Sequence, residues 1–347
     1  MNKYQWQLRL TLSLTLLLSG CGITLSTGVA TPAPSFPQTT VSAVPAGRTN
    51  ALQLFIEPEA GTAPILHAIN SARQSILLEI YLITDTPVIH ALQSAANRGV
   101  DVRVLLEPHP YGISHSSVAR VMDELSSAGI AVRPTNPIFA LTHAKTMIID
   151  SQTAYIMTAN FSKAALGGSS TTANREYLLA DRNPTDVSAV TAIFNADWNR
   201  TTPTLADPQL VISPINARSD LTALIQSARK TLAIEDEEMY DTSSENALAQ
   251  AAARGVHVEV ILPASQSNTM GPDEQRLSAA GVIIRHDARL YMHAKLILAD
   301  NHEAFVGSEN FSAESLDKNR EIGLLITDNS IIQQLVQTFS QDWNMSQ

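Results

Sequence analysis

Apolar runs of strand length alternate with stretches of helical period along most of this chain. SILLEIYLI, residues 75 to 83, is apolar almost throughout and predicts a buried strand. Thr86 and Pro87 then cap and start a helix that Gly99 ends. VDVRVLLE, residues 100 to 107, predicts the next strand, and Gly129 separates a further helix from the strand IAVRP. KTMIID and AYIMT form another strand pair, and PTDVSAVTAIFNADWN closes the unit with apolar positions at helical spacing. Such alternation predicts an α/β layered unit.

The same order returns in the second half. Residues 71 to 108 overlay residues 227 to 264 at a constant shift of 156, with identities at Ser71 and Ser227, Arg73 and Arg229, Ala91 and Ala247, Arg98 and Arg254, and Gly99 and Gly255. Pro58 and Pro214 extend the match backwards. The shift has dropped to 150 where THAKTMIID (142 to 150) meets MHAKLILAD (292 to 300), and to 145 where FNADWN meets FSQDWN. The second copy therefore has shorter loops. A repeat of this length is an internal duplication, with units over 51 to 203 and 204 to 347 and their boundary in the Pro-containing TTPTLADPQL.

The first 20 residues are of another kind. Lys3 and Arg9 precede an apolar run that ends at Leu18, followed by two small residues and Cys21. The run is shorter than the roughly 20 apolar residues of a spanning helix, and no later stretch is long enough either. It reads as an export signal over residues 1 to 20. LSGC resembles a bacterial lipobox, in which a peptidase cuts before a cysteine whose sulfur receives a diacylglyceryl group. An exported protein is expected, held by lipidated Cys21 on the extracytoplasmic face of a bacterial membrane. Cys21 is the only cysteine, so no internal disulfide can form. Residues 21 to 50, rich in Ser, Thr, Pro and Ala without a period, read as a disordered tether.

Charge narrows the classes further. The net charge is -10, and removing residues 1 to 20 takes away Lys3 and Arg9 and no acid, leaving -12. A chain this acidic is poorly suited to tight, unassisted nucleic-acid binding, although a local basic cleft is compatible with the sum.

The candidate chemistry lies in the repeated motif. His143 and Lys145 are two apart on a predicted strand, so both side chains project from one face. Seven residues after Asp150 begins MTAN, ending at Asn160; seven after Asp300 begins GSEN, ending at Asn310. Each copy then carries NRE, with Glu176 and Glu321. H-x-K-x4-D followed by G-S-x-N, present twice, resembles the phospholipase D superfamily, and the resemblance covers residue 52 to the end of the chain. It implies two tandem α/β/α lobes with one active site where the motifs meet. It also implies a monomer, since both halves of the site are on one chain, and no metal or other cofactor.

The residue types suit that chemistry. A phosphodiester is anionic and resists nucleophiles, so cations and hydrogen-bond donors must surround its non-bridging oxygens. Lys145, Lys295, Asn160 and Asn310 supply them, with Thr158 and Ser308 as nearby hydroxyls. One imidazole attacks phosphorus to form a phosphohistidine, while the other protonates the leaving alcohol and then deprotonates water. By the resemblance His143 is the nucleophile and His293 the acid and then base; the residues alone do not order them. Glu176 and Glu321, 33 and 28 residues after the histidines of their own copies, resemble the carboxylates that accept from an imidazole's other nitrogen. Asp150 and Asp300 are expected to secure the turn after the strand. The first copy departs from the family pattern at Met157 and Thr158, keeping a hydroxyl but losing a backbone-permissive Gly.

Substrate is less determined than reaction. Hydrolysis of phospholipid headgroups is the leading expectation, because the anchor brings the site to a bilayer. The acidic run IEDEEMYDTSSE, residues 234 to 245, is either a solvated loop or a receptor for a cationic headgroup. Aromatic residues make up 5% of the chain, which leaves little for base stacking. An extracytoplasmic nuclease is the alternative, since NFSKAAL resembles short bacterial nuclease members of the superfamily. Phosphatidyl transfer, as in cardiolipin synthases, is another, although those usually carry N-terminal membrane helices.

Overall fold

Two sheets with the same strand order face each other in this computed structural model, which describes residues 51–168, 173–264 and 270–347. The expected export signal, Cys21 and the tether lie outside the described residues. In the first copy the chain runs β1 (Leu52–Glu57), α1 (Ala63–Ser71), β2 (Ser75–Ile80), α2 (Thr86–Asn97), β3 (Asp101–Leu106), α3 (His115–Ser127), β4 (Ala131–Pro134), β5 (Lys145–Ile149), β6 (Thr153–Met157), β7 (Asn174–Asp181) and α4 (Pro184–Asn199). In the second it runs β8 (Leu210–Ser213), α5 (Ala217–Ser227), β9 (Thr231–Glu235), α6 (Thr242–Ala253), β10 (His257–Pro263), α7 (Pro272–Ala279), β11 (Ile283–Asp287), β12 (Tyr291–Met292), β13 (Leu296–Ala299), β14 (Glu303–Gly307), α8 (Ala313–Asp317), β15 (Glu321–Ile326) and α9 (Asn329–Met345). The unit boundary falls between α4 and β8, inside the Pro-containing stretch.

The first sheet has the order β1-β7-β6-β5-β2-β3-β4 and the second, read from its other edge, β8-β15-β14-β13-β9-β10-β11. Each half thus combines three parallel strands, joined by helical crossovers, with four antiparallel ones. The duplication read from the sequence is a duplication of topology. β1 and β7, with their partners β8 and β15, had no counterpart among the predicted strands. Glu57 ends β1, and Asn174, Arg175 and Glu176 open β7, which leaves only a short apolar run to signal each strand.

Side-chain alternation divides the interior. Ile76, Leu78 and Ile80 of β2 pack outward with Met147 and Ile149 against α1, α2 and α3, while Leu77, Ile148, Ile156 and Leu179 face inward. Leu296, Leu298, Val306 and Leu324 of the second sheet join those inward residues in one cluster, with Phe194 of α4 and Phe339 of α9. Strands buried on both faces explain why the sequence reads as apolar runs instead of alternating ones. No helix among the described residues is long and apolar enough to cross a membrane.

Two local expectations are refined. Asp85, one residue before Thr86, caps α2: its carboxylate accepts from the Val88 N–H at 3.1 Å, and Asp241 does the same for Ser244 at the start of α6. The motif aspartates do more than hold their own turn. Asp150, in the left-handed region at φ 54, accepts backbone N–H groups of Arg73, Gln74 and Ser75 at 2.7 to 3.1 Å, tying the entry of β2 to the exit of β5. Asp300 does likewise for Arg229, Lys230 and Thr231. These bonds hold both carboxyls below their usual range against the opposing effect of burial.

Candidate active site

His143 and His293 lie in the extended segments just before β5 and β13, so the inner end of each sheet presents one imidazole. The ring centroids are 6.5 Å apart. Each lysine folds back on its own motif, with Lys145 Nζ donating to the His143 carbonyl at 2.5 Å and Lys295 Nζ to the His293 carbonyl at 2.7 Å. Both motifs therefore meet at one place.

The carboxylates cross between the copies. His143 Nδ1 is 2.9 Å from Oε2 of Glu321, and His293 Nδ1 is 2.8 Å from Oε1 of Glu176. Spacing had associated each glutamate with the histidine of its own half; the structure exchanges them. The exchange fixes which ring nitrogen does chemistry, because Nδ1 is held and Nε2 is left for the reaction.

This crossing rests on strand exchange between the lobes. β12 of the second lobe pairs with β7 of the first, matching Tyr291 with Asn174 and Met292 with Arg175. Reciprocally, the backbone N–H groups of His143 and Ala144 donate to the Arg320 carbonyl at 2.8 and 2.9 Å. The arginine of each NRE triplet is buried, and each reaches the other copy's DWN aspartate. Arg175 donates to Asp342 at 2.6 and 2.9 Å, and Arg320 Nε lies 2.9 Å from Asp197 Oδ2. Both triplets stand out in the sequence, but their spacing alone gives no role to Arg175, Arg320, Asp197 or Asp342. Their signal was the repeat itself, since a buried arginine needs a carboxylate and each motif brings one.

Thr158 and Ser308 are corrected. They were expected to meet the substrate phosphate, but both hydroxyls are engaged within the protein. Thr158 Oγ1 donates to Glu176 Oε2 at 2.6 Å and accepts from the Tyr177 N–H, while Ser308 Oγ accepts from the Ile322 N–H at 3.0 Å. Thr158 thus steadies the carboxylate that steadies His293, and Ser308 ties β14 to the strand that carries Glu321. Asn174 and Asn319, at the head of each NRE, add bonds to Glu176 and Glu321 at 3.0 and 3.2 Å. Asn160 and Asn310 lie in the turns after β6 and β14, each with a buried Oδ1 that has no hydrogen-bond partner among the described residues.

The glycine of GSEN is also reassigned. Gly307 has no positive φ; a Cβ there would meet the Gly323 Cα at 2.5 Å and the Glu309 and Phe305 side chains. It makes room, and is not needed for backbone freedom. In the first copy Met157 pairs in register with Leu178, and both fill that volume. The Met157 departure therefore alters packing behind the turn.

Electrostatics make the halves unequal. Burial lowers the His143 imidazole below its ordinary value, with Lys145 adding to the effect against Glu321. Burial also pushes Lys145 down to about 7. Lys295 moves the other way, because Glu237, Glu176 and Asp236 outweigh its desolvation. Glu237, which sequence reasoning did not single out, lies 3.1 Å from Lys295 Nζ and 3.3 Å from His293 Nε2. At the equivalent repeat position, 156 residues earlier, Tyr81 packs edge-on to His143 with centroids 4.8 Å apart.

These features accord with known proteins. Residues 65–198 and 221–343 match the family described as cardiolipin synthase, PLD-like domain. The chain belongs to the phospholipase D superfamily. It is 28% identical over 329 residues to cardiolipin synthase B of Salmonella typhi, covering 82% of this chain and 78% of that protein. With cardiolipin synthase of Clostridium perfringens it shares 24% over 343 residues, covering 84% and 70%. Among solved structures, phosphatidylserine synthase of Haemophilus influenzae superposes with a TM-score of 0.62 at 13% identity, covering 85% of this chain and 86% of that one. Polyphosphate kinase of Porphyromonas gingivalis superposes at 0.66 and 18% identity, and the present chain spans 50% of that longer one. At such identities the structural likeness concerns the fold. The expectation of two tandem lobes of superfamily type holds.

Within the superfamily fold one buried acid has a consequence for stability. Glu57 of β1 lies beside Glu176 in register, and burial raises its carboxyl from 4.5 to about 8. Below the unfolded value both states carry the proton and no cost arises. Between about 4.5 and 8 the folded state keeps a proton that the unfolded chain releases, so stability falls as pH rises through that window. Glu57→Gln removes this contribution. The melting temperature of the variant relative to wild type is expected to climb from pH 5 to pH 8 and then level off. A difference that stays flat with pH would contradict the assignment.

Proposed function

We propose that this superfamily member transfers a phosphatidyl group from one phospholipid to an alcohol through a covalent phosphohistidine, with water as a competing acceptor. Hydrolysis was the leading expectation from sequence. The relatives that match most of both chains are named as synthases, which moves transfer ahead of it. The observation that carries the reading is the pair of imidazoles, 6.5 Å apart, whose Nδ1 atoms are both occupied by carboxylates from the opposite lobe.

The steps follow from that arrangement. His143 Nε2 attacks phosphorus, the bond to the leaving oxygen breaks, and that oxygen takes the proton from His293 Nε2. An acceptor hydroxyl then gives its proton to His293 as its oxygen attacks phosphorus, and the P–N bond breaks to restore His143. Lys145, Lys295, Asn160 and Asn310 supply donors to the non-bridging oxygens. The order of the histidines is supported by asymmetry. The lowered His143 suits a neutral nucleophile, and only His293 has a carboxylate, Glu237, opposite Nε2 as an acceptor for an N–H there.

The test uses the full chain in excess EDTA, with phosphatidylglycerol vesicles and separately with plasmid DNA, beside His143→Ala. New phospholipid or phosphatidic acid is expected from wild type and none from the variant. Nicked DNA without lipid turnover would sink this reading in favour of the nuclease. Export and anchoring through Cys21 belong to the same proposal and rest on LSGC. Cys21→Ser is expected to leave the membrane fraction of expressing cells, and its retention there would count against the anchor.

A further inference from the structure

The acidic run 234 to 245 is neither a solvated loop nor a free cluster. Glu235 accepts from the Tyr177 hydroxyl at 2.7 Å, Asp236 is buried and accepts from the Glu238 N–H, and Asp241 caps α6 while pairing with Arg218. Glu237 alone of these reaches the reacting nitrogen. Its Oε2 lies 3.3 Å from His293 Nε2, and its Oε1 accepts from the Tyr291 hydroxyl at 2.9 Å. Glu176 and Glu321 contact the imidazoles only through Nδ1 and are fully buried, whereas Glu237 keeps 21% of its side-chain surface and Tyr291 is half exposed.

We infer that Glu237, supported by Tyr291, selects the acceptor alcohol, favouring one that carries a second hydroxyl beside the attacking one. The inference rests on the proposed transfer through a phosphohistidine. An attacking oxygen must come within hydrogen-bond reach of His293 Nε2, which places it beside Glu237 Oε2. A hydroxyl on the neighbouring carbon then donates to Glu237, while the first gives its proton to His293. A neutral polyol fits better than an ammonium alcohol, because the carboxylate is already paired with Lys295 at 3.1 Å and that lysine is fully buried. The first lobe has Tyr81 at the repeat position, so the selection acts only on the side of the site where alcohols leave and enter.

A partition experiment reads this step independently of overall rate. The full chain is given bis(4-nitrophenyl) phosphate with equal concentrations of glycerol, ethanol and protonated ethanolamine, and the phosphodiester products are counted against the hydrolysis product. Wild type is expected to prefer glycerol to ethanol by about tenfold, the scale of one hydrogen bond donated to a charged acceptor. Glu237→Ala and Tyr291→Phe are expected to bring that ratio towards one, the first more than the second, and Glu237→Gln to fall between. An unchanged glycerol-to-ethanol ratio in Glu237→Ala, with a lower KM for the donor, would mean the carboxylate merely fills the anion site and would overturn the inference. Loss of ethanolamine transfer instead of glycerol transfer would overturn it too. Wild type that transfers to no alcohol and releases only the hydrolysis product would defeat the transfer reading itself.

Discussion

His293→Asn is expected to lower turnover of an ordinary phosphodiester by at least about 10³-fold, yet still to release one equivalent of 4-nitrophenol from an activated donor. Departure of an alkoxide needs a proton, and among the described residues of this site only His293 Nε2 is opposed by an acceptor for its N–H. A 4-nitrophenolate leaves without that help. The first step then proceeds on His143, and the enzyme stalls because no base takes the proton of the acceptor. The burst should coincide with a phosphorylated peptide containing His143, detectable by mass spectrometry under alkaline conditions. The same burst from His143→Asn, with the label on His293, would reverse the roles. The lowered imidazole of His143 argues against that reversal, since the nucleophile must be neutral at its attacking nitrogen.

The second large effect concerns stability. Asp342→Ala removes the bidentate partner of buried Arg175, which keeps the exposed Glu59 at 2.7 Å, and Asp197→Ala removes that of buried Arg320, which keeps the Ser213 carbonyl. Breaking one side of a buried pair costs about 3–5 kcal/mol, because an uncompensated charge stays in a poorly solvated place. Asp197→Ala should lose that much in denaturant unfolding, and Asp342→Ala less, because Glu59 still faces Arg175. Each should also lose activity beyond its loss of folded protein, since Arg175 and Arg320 sit next to Glu176 and Glu321 on β7 and at the start of β15. Replacing both members, as in Arg175→Leu with Asp342→Leu, should recover much of the stability, because two apolar groups leave no charge to solvate. Single losses below about 1 kcal/mol would show these pairs behaving like surface ion pairs, contrary to their burial.

Much of the arrangement was legible in the residues because it was written twice. The element order of one half came from apolar runs and breakers, and the second half repeated it at a shift that drifted only through loop length. The closing helix of the first half was read with its observed bounds, Pro184–Asn199, since its apolar positions keep helical period and Pro184 starts it. β7 escaped notice because its charged residues, Arg175 and Glu176, serve the other lobe and break the apolar pattern locally. Thr158 was misplaced for a related reason. A hydroxyl in a motif rich in phosphate-binding types reads as a ligand, but the packed strand turns it towards Glu176.

The sequence by itself determined the duplication, the two imidazoles and the lysines beside them, because identity and spacing survive in one dimension. Only the tertiary structure decided which glutamate serves which histidine and which arginine reaches which aspartate. Those pairings join residues over 100 positions apart, from Arg320 with Asp197 to Arg175 with Asp342. Spacing along a chain carries no record of contacts created when two similar sheets exchange strands; packing and charge compensation alone select them.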